Sequence, residues 1–162
     1  MIKRLVTMVA CSVLSLIGAV EAAHSDIIGR YECNVLGVST PEPIGDRPGH
    51  GLAQYQYSCV GVEGLLKGAV YSAMNVSEWD GPNGKLILVG GVHRTPGGLA
   101  VTQMQEGAVT IEMKDGKAVG LTGSGKAIIK FASGTLAGLS GKTLKFANKS
   151  IGFNRFDIEW SE

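Results

Sequence analysis

The chain has 162 residues, of which 24 are glycine and 5 are proline, and 18% of its residues are charged. The glycine share of 24 in 162 is roughly twice the usual value, but the glycines have no period of three, which excludes a collagen-like helix. A hydrophobic content of 44% argues against a disordered chain, and the length favours one domain. We therefore expect a small folded domain with many tight turns.

Residues 1–22 have the pattern of a secretory signal peptide. A short basic start precedes an uncharged apolar run over residues 5–20, which is too short for a good membrane span. We predict cleavage after Ala22, which makes 23–162 one mature domain; cleavage after Ala23 and a retained N-terminal anchor are the alternatives. The compact signal is more typical of bacteria, so we expect the periplasm of a Gram-negative cell, or secretion.

The charge balance disfavours two classes of partner. The predicted signal removes Lys3, Arg4 and Glu21 from totals of 15 basic and 14 acidic residues, so the mature chain carries no net charge and no basic block. We therefore expect no nucleic-acid partner and no membrane attachment after signal removal.

Two cysteines remain in the predicted mature chain, and they predict a disulfide. Around both Cys33 and Cys59 the apolar residues alternate with polar ones, and each cysteine falls on the apolar face of its segment. An even cysteine count in a secreted chain is most simply a disulfide. A redox or metal pair is the alternative, but no Cys-x-x-Cys motif and no nearby histidine support it. Closing the loop from residue 33 to residue 59 stabilises a fold by about 3–4 kcal/mol.

The rest of the chain alternates short strand patterns with glycine-rich turns. Period-2 alternation of apolar and polar residues, as in Val109, Ile111 and Met113 against their neighbours, indicates sheets with one dry face. Turn signals include Asp115-Gly116 and the tripeptide at 123–125. The predicted strands lie near 27–36, 52–62, 68–78, 85–93, 99–105, 107–114, 117–122, 126–132, 142–148 and 153–160. We predict an all-β fold, a small antiparallel barrel of about 8–10 strands, with a β-sandwich as the alternative.

The segment from Gly123 to Gly141 resembles part of a known family of barrels. In the calycin-like barrels related to allene oxide cyclase and dirigent proteins, a strand runs into a Gly-Thr-Gly-x-aromatic-x-Gly turn before two closing strands. Residues 133–141 are similar to that turn, although Leu136 replaces one of its glycines. The resemblance implies the barrel fold, with the last two strands around 144–146 and 156–160. It implies no catalytic residue, and the chain looks similar to small secreted bacterial barrels.

The ligand-binding prediction concerns aromatic residues. We predict that Tyr55, Tyr57 and Trp79, together with His93, line a pocket for a small, mostly apolar ligand inside the barrel. The alternative is that these side chains only fill the core, as in most small barrels. Residues 37–51 hold three of the five prolines and form one long loop, a kind of segment that is often functional.

The remaining histidines and motifs give no support for catalysis. His24 lies near the predicted new N-terminus, and a site made by His50 and His93 with Glu106 or Asp46 lacks ligand spacing typical of metal centres. Gly-x-Ser-x-Gly, phosphate-loop and paired-carboxylate patterns do not occur. We expect no catalytic residue, no metal and no cofactor.

The sequence thus favours a non-enzymatic, secreted β-barrel that binds a small apolar ligand. One alternative is a self-associating structural or interaction module, a homo-oligomer formed through residues 85–90, where Leu86–Val89 is apolar on both faces. The other is a cyclase- or isomerase-like enzyme, for which Glu63 or His93 would be the polar candidates.

Overall fold

The computed structural model describes residues 26–37 and 41–162, and most of these residues lie in β-strands. The predicted signal peptide, its cleavage site, Cys11 and His24 lie outside the described residues. In chain order the strands are β1 (Ile27–Leu36), β2 (Glu42–Pro43), β3 (His50–Gly64), β4 (Val70–Asp80), β5 (Asn83–Thr95), β6 (Gly98–Lys114), β7 (Lys117–Gly134), β8 (Thr143–Gly152) and β9 (Arg155–Ser161). A single 3-10 turn at Ala137–Leu139 joins β7 to β8.

Eight of these strands form a closed antiparallel barrel, which confirms the predicted fold class. The neighbours follow the order β1-β9-β8-β7-β6-β5-β4-β3, and β3 also pairs with β1, so the sheet has no free edge among its eight long strands. Closure satisfies the backbone groups that a sandwich would expose at its edges. The two-residue β2 pairs with the start of β3 and belongs to the long proline-containing loop.

Two predicted strand breaks are wrong. The segments 99–105 and 107–114 form one strand, β6, and the segments 117–122 and 126–132 form β7. Gly123, Ser124 and Gly125 are not a turn, because each pairs with both β6 and β8. A Cβ atom at Gly125 would clash with the Glu106 carbonyl oxygen and would lie 2.8 Å from the ring of Phe146, so this glycine allows β6 to approach closely and makes room for an aromatic side chain.

The excess of glycine therefore has two causes, of which turn geometry is only one. Gly116 adopts a positive φ of 74° in the β6–β7 turn, as expected for a hairpin glycine. Others lie within strands and face the barrel interior. A Cβ at Gly84 would lie 3.0 Å from the Trp79 ring, and one at Gly91 would lie 2.7 Å from Tyr71. Large aromatic rings fill the interior because glycines on neighbouring strands leave the space.

A β-bulge changes the faces predicted for part of β7. Val101 pairs with Phe131, whereas the next residue, Thr102, pairs with Ile129, so β7 carries one extra residue there. The extra residue reverses the alternation. Phe131, which the pattern placed beside Ile129 on the dry face, is 53% exposed, and Ala132 is buried in its stead.

The predicted disulfide is confirmed, and it lies at the seam where the barrel closes. Cys33 on β1 and Cys59 on β3 are direct cross-strand partners with a Cα–Cα distance of 4.0 Å, and their sulfur atoms are bonded. Both side chains are 1% exposed. The bond therefore ties the first long strand to the strand that completes the ring.

The two ends of the barrel differ. At one end, buried leucines from two connections close the interior: Leu66 from the β3–β4 turn, and Leu136 and Leu139 from the β7–β8 connection. Leu136, at which the sequence departs from the glycine pattern it resembles, is fully buried and acts as part of this plug. The opposite end is where the proline-containing loop lies, and it holds the candidate site.

Candidate functional site

An apolar cleft of about 490 Å³ opens at the unplugged end of the barrel; we call it the mouth cleft. It lies between the loop 41–49, the β4–β5 turn and the paired residues Ile111 and Leu121 of the β6–β7 hairpin. Its walls are mainly apolar and aromatic groups, with backbone from glycines: Pro41, Pro43, Gly45, Arg47, Pro48, Gly49, His50, Gly51, Ala53, Tyr55, Trp79, Gly81, Ile111 and Leu121. The size is typical of pockets for small molecules.

Backbone hydrogen bonds hold both sides of the mouth cleft in place. On the hairpin side, the Ile111 amide donates to the Pro82 carbonyl at 2.8 Å, which fixes β6 against the β4–β5 turn. On the loop side, the Ile44 amide donates to the His50 carbonyl at 3.1 Å, and the Gly81 amide donates to the Gly49 carbonyl at 3.1 Å. The prolines restrict the remaining loop backbone and lack an amide donor that would need a partner.

A charged clamp joins the loop to β4. The imidazole of His50 lies with Nδ1 at 2.5 Å from Asp46 Oδ1 and Nε2 at 2.8 Å from Glu78 Oε1. Beside it, the Arg47 guanidinium donates to Asp46 and to Asp80, each at 2.9 Å. Both nitrogens of an imidazole donate only when it is protonated, so this arrangement requires a cationic His50.

The electrostatics agree with that protonation state. Hydrogen bonds to Asp46 first and Glu78 second raise the pKa of His50 above 6.5, and they outweigh burial and the nearby Arg47, which both lower it. In return, the hydrogen bond from His50 lowers the pKa of the Asp46 carboxyl below 3.8. The loop is thus held by a cation between two carboxylates.

We expect the clamp to weaken as the pH rises. Because the folded-state pKa of His50 is raised, its contribution is fully present below pH 6.5 and is lost as the pH passes through the higher folded-state value. Hydrogen exchange at the Ile44 and Gly81 amides, corrected for intrinsic rates, should lose protection over that range. The change should follow the His50 titration seen by NMR.

The variant His50→Gln is the control for this prediction. Glutamine does not titrate, so the protection of the same amides should be low at every pH and should show no transition. A His50 titration midpoint at or below 6.5, or unchanged protection across it, would contradict the clamp.

Below the mouth cleft, the interior is nearly filled by side chains. A cavity of only about 30 Å³ remains, which we call the deep cavity, walled by aromatic and aliphatic groups together with Asn75, Asn148 and Thr102. Tyr55 contributes to the walls of both the deep cavity and the mouth cleft. Burial raises the pKa of Tyr55 to about 12, so its phenol is neutral.

A buried aromatic cluster surrounds His93 in the half of the barrel nearer the plug. Its ring stacks on Tyr71 with centroids 3.9 Å apart, and Trp160 meets it edge-on at 5.7 Å. The Tyr31 hydroxyl lies 2.8 Å from His93 Nδ1. Burial lowers the pKa of His93 to about 3, so the imidazole is neutral, and its Nδ1 shares this hydrogen bond with the Tyr31 hydroxyl. The cluster is packed core, and neither Tyr31 nor His93 lines a described cavity.

The four residues predicted to bind a ligand are divided among these regions. Tyr55 and Trp79 line the mouth cleft, and Tyr57 lines the deep cavity. His93 pairs with Tyr71 near the start of β4, whereas the mouth lies at the end of that strand. The structure thus brings Tyr55 and Trp79 together and leaves His93 apart.

Sequence reasoning missed several residues of the site. Ile111 and Leu121 belong to strands with clear alternation, but nothing in the pattern shows that they line the mouth. Asp46 was considered beside His50 only as a possible metal ligand, and Glu78 was not considered; both meet His50 because the loop folds back onto β4. The available signal was the cluster of prolines within 37–51, which marked this loop as a functional candidate.

Other polar groups considered from the sequence do not assemble a reactive centre. Glu63 is exposed and pairs with Arg30 at 3.4 Å, and Glu106 pairs with Lys126 on the outer surface at 2.8 Å. His50 and His93 lie near opposite ends of β4, so they form no common site. Within residues 26–37 and 41–162, no group of three His, Cys, Asp or Glu side chains has an arrangement that could hold a metal ion.

Comparisons with protein-family models, curated proteins and solved structures give no match to this chain. In the described part of the chain, no helix has the length and apolar character needed to cross a membrane. The class that the fold and the site define is a closed eight-stranded β-barrel with an apolar cleft at one end.

Proposed function

We propose that this protein is a non-enzymatic binding protein of the periplasm or the extracellular space, which holds a small, mostly apolar ligand in the mouth cleft. The observation that carries the proposal is the contrast between the two ends of the barrel. One end is plugged by buried leucines, whereas the other presents about 490 Å³ of space against Tyr55, Trp79, Ile111 and Leu121.

The body of the ligand belongs at the mouth in this proposal, not in the barrel interior. The deep cavity has about 30 Å³, enough for only one or two non-hydrogen atoms. The mouth cleft is more than ten times larger. Covering its aromatic and aliphatic walls removes apolar surface from water, which supplies the affinity.

The proposal includes an origin and a location. A relation to allene oxide cyclase-like and dirigent-type calycin barrels is supported by the eight-stranded antiparallel barrel and by the turn at residues 133–141 that leads into β8 and β9. An oxidising compartment is supported by the buried Cys33–Cys59 disulfide. Neither point assigns a reaction to the cleft.

Filling the mouth cleft should abolish binding. The apolar fluorophore N-phenyl-1-naphthylamine is expected to bind the wild-type chain with increased emission, because the cleft excludes water from the dye. Leu121→Trp places an indole in the cleft and should weaken binding at least tenfold. Fluorescence titration measures the effect.

Val119→Trp is the matched control, since Val119 lies two residues away on the same strand, is 59% exposed and does not line the cleft. It should bind the dye like the wild type. Absence of dye binding by the wild type, or equal loss in both tryptophan variants, would overturn the proposed function.

Self-association is the second candidate, and one observation favours it. Ile87 and Leu88 are 49% and 51% exposed on β5. The β5–β6 register passes from Lys85 to Gly90 without partners for the four residues between them. An apolar strand segment with an interrupted ladder is a feature that a second copy of the chain would cover.

A further inference from the structure

Polar atoms without partners lie in the wall of the deep cavity. Asn75 Oδ1, Asn148 Oδ1 and Trp160 Nε1 are all buried and have no hydrogen-bond partner among the described residues. All three residues line the deep cavity. Asn75 is 2% exposed and Trp160 is 4% exposed, so bulk water does not solvate them. Buried polar groups of this kind nearly always have a partner.

The position of Asn75 is fixed from the side of the mouth cleft. Its amide nitrogen donates to Ser77 Oγ at 3.2 Å, and the same oxygen accepts a hydrogen bond from Trp79 Nε1 at 2.9 Å. This chain of contacts runs along the inner face of β4 from Trp79 in the mouth cleft to Asn75 in the deep cavity. The step of four residues from Trp79 to Asn75 spans about 13 Å along β4.

The three unpartnered atoms determine which kind of chemical group can bind them. Two amide oxygens require a donor, and one indole N–H requires an acceptor. The remaining wall of the deep cavity is largely aromatic and aliphatic and holds no charged side chain, so an ion there would lose its hydration without an opposite charge. A neutral group that both donates and accepts, and that has one or two heavy atoms, matches the cavity.

We propose that the deep cavity is the binding site for the terminal hydroxyl group of the ligand whose apolar body occupies the mouth cleft, with Asn75, Asn148 and Trp160 as its hydrogen-bond partners. The inference rests on the proposed function and names its ligand class: neutral aliphatic or aromatic alcohols. Tyr55, which lies directly opposite Asn75 in the β3–β4 register, borders both spaces.

Two isomeric probes distinguish binding at the hydroxyl site from binding in the mouth cleft alone. The alcohol 1-octanol and the ether 1-methoxyheptane have the same atoms, but only the alcohol donates a hydrogen bond. Each is used to displace N-phenyl-1-naphthylamine from the wild-type protein. We expect the alcohol to displace the dye at a concentration at least tenfold lower than the ether does. Asn75→Leu and Asn148→Leu should each reduce this alcohol-to-ether preference ratio several-fold. Asn34→Leu, an exposed asparagine on the outer face of β1, should leave the ratio unchanged.

Each outcome decides a separate point. Dye displacement by both isomers at equal concentration would overturn the hydroxyl site, with water as the partner of the buried atoms, and would leave the mouth cleft standing. An alcohol-to-ether preference ratio that stays at the wild-type value in both Asn75→Leu and Asn148→Leu would also overturn the hydroxyl site. No dye binding to the wild type would overturn the cleft and the hydroxyl site together.

Discussion

Removing the disulfide is expected to lower the free energy of unfolding by about 3–4 kcal/mol. The bond joins residues 26 positions apart, and a cross-link of that span restricts the unfolded chain by an entropy worth about that much at 25 °C. The same bond ties β1 to β3, the contact that closes the barrel. Urea denaturation of Cys33→Ala/Cys59→Ala, compared with the oxidised wild type, measures the loss.

Two comparisons isolate the cross-link from packing. The reduced wild type keeps both buried sulfur atoms, so it should show most of the same loss. Asn34 and Ser58 are the neighbouring cross-strand pair on the same two strands, and Asn34→Ala/Ser58→Ala should change stability by less than about 1 kcal/mol. A loss below about 1 kcal/mol on reduction would show that the seam holds without the bond.

Acid should destabilise the protein through His93 before its carboxylates protonate. The folded-state pKa of His93 is lowered to about 3, whereas the unfolded chain takes up a proton near pH 6.5. The neutral form is therefore favoured in the folded state, and stability falls as the pH drops from 6.5 towards 3. The slope approaches about 1.4 kcal/mol per pH unit, so the loss reaches several kcal/mol over that window.

The measurement is the free energy of unfolding between pH 7 and pH 5. His93→Gln keeps a group that can share a hydrogen bond with the Tyr31 hydroxyl and does not titrate, so it should lose the slope even though its overall stability is lower. Below pH 6, His50→Gln should retain the slope, because there His50 is largely protonated in both the folded and the unfolded state. An NMR titration of His93 with a midpoint near 6.5 would contradict the buried neutral imidazole.

The strand pattern was readable because one face of each strand is buried. β1 matches its predicted bounds, and the cysteine faces in 31–35 and 53–59 point to the disulfide because alternation fixes which side chains share a side. The break at 123–125 was misread because glycine is frequent in turns, whereas Gly125 serves to accommodate Phe146 on the next strand. A single sequence does not show which aromatic ring a mid-strand glycine faces.

The site was less predictable than the fold, since it depends on contacts between distant segments. Tyr55 and Trp79 were candidates because they are large and aromatic, but so was Tyr57, which lines only the deep cavity. Tyr57 lies deeper in the barrel than Trp79, and the depth of a residue depends on the strand register and on how the barrel closes. The clamp at His50 depends on the path of the loop 41–49, and loops of this kind have no periodicity from which their path can be predicted.

Chemical-shift mapping with saturating N-phenyl-1-naphthylamine tests the central claim, ligand binding in the mouth cleft, most directly. Our account predicts that the largest changes occur at the Trp79 indole, the Tyr55 ring and the Ile111 and Leu121 methyl groups, all of which line the cleft. Changes confined to Ile87 and Leu88 on the outer face, or no changes at all, would contradict it.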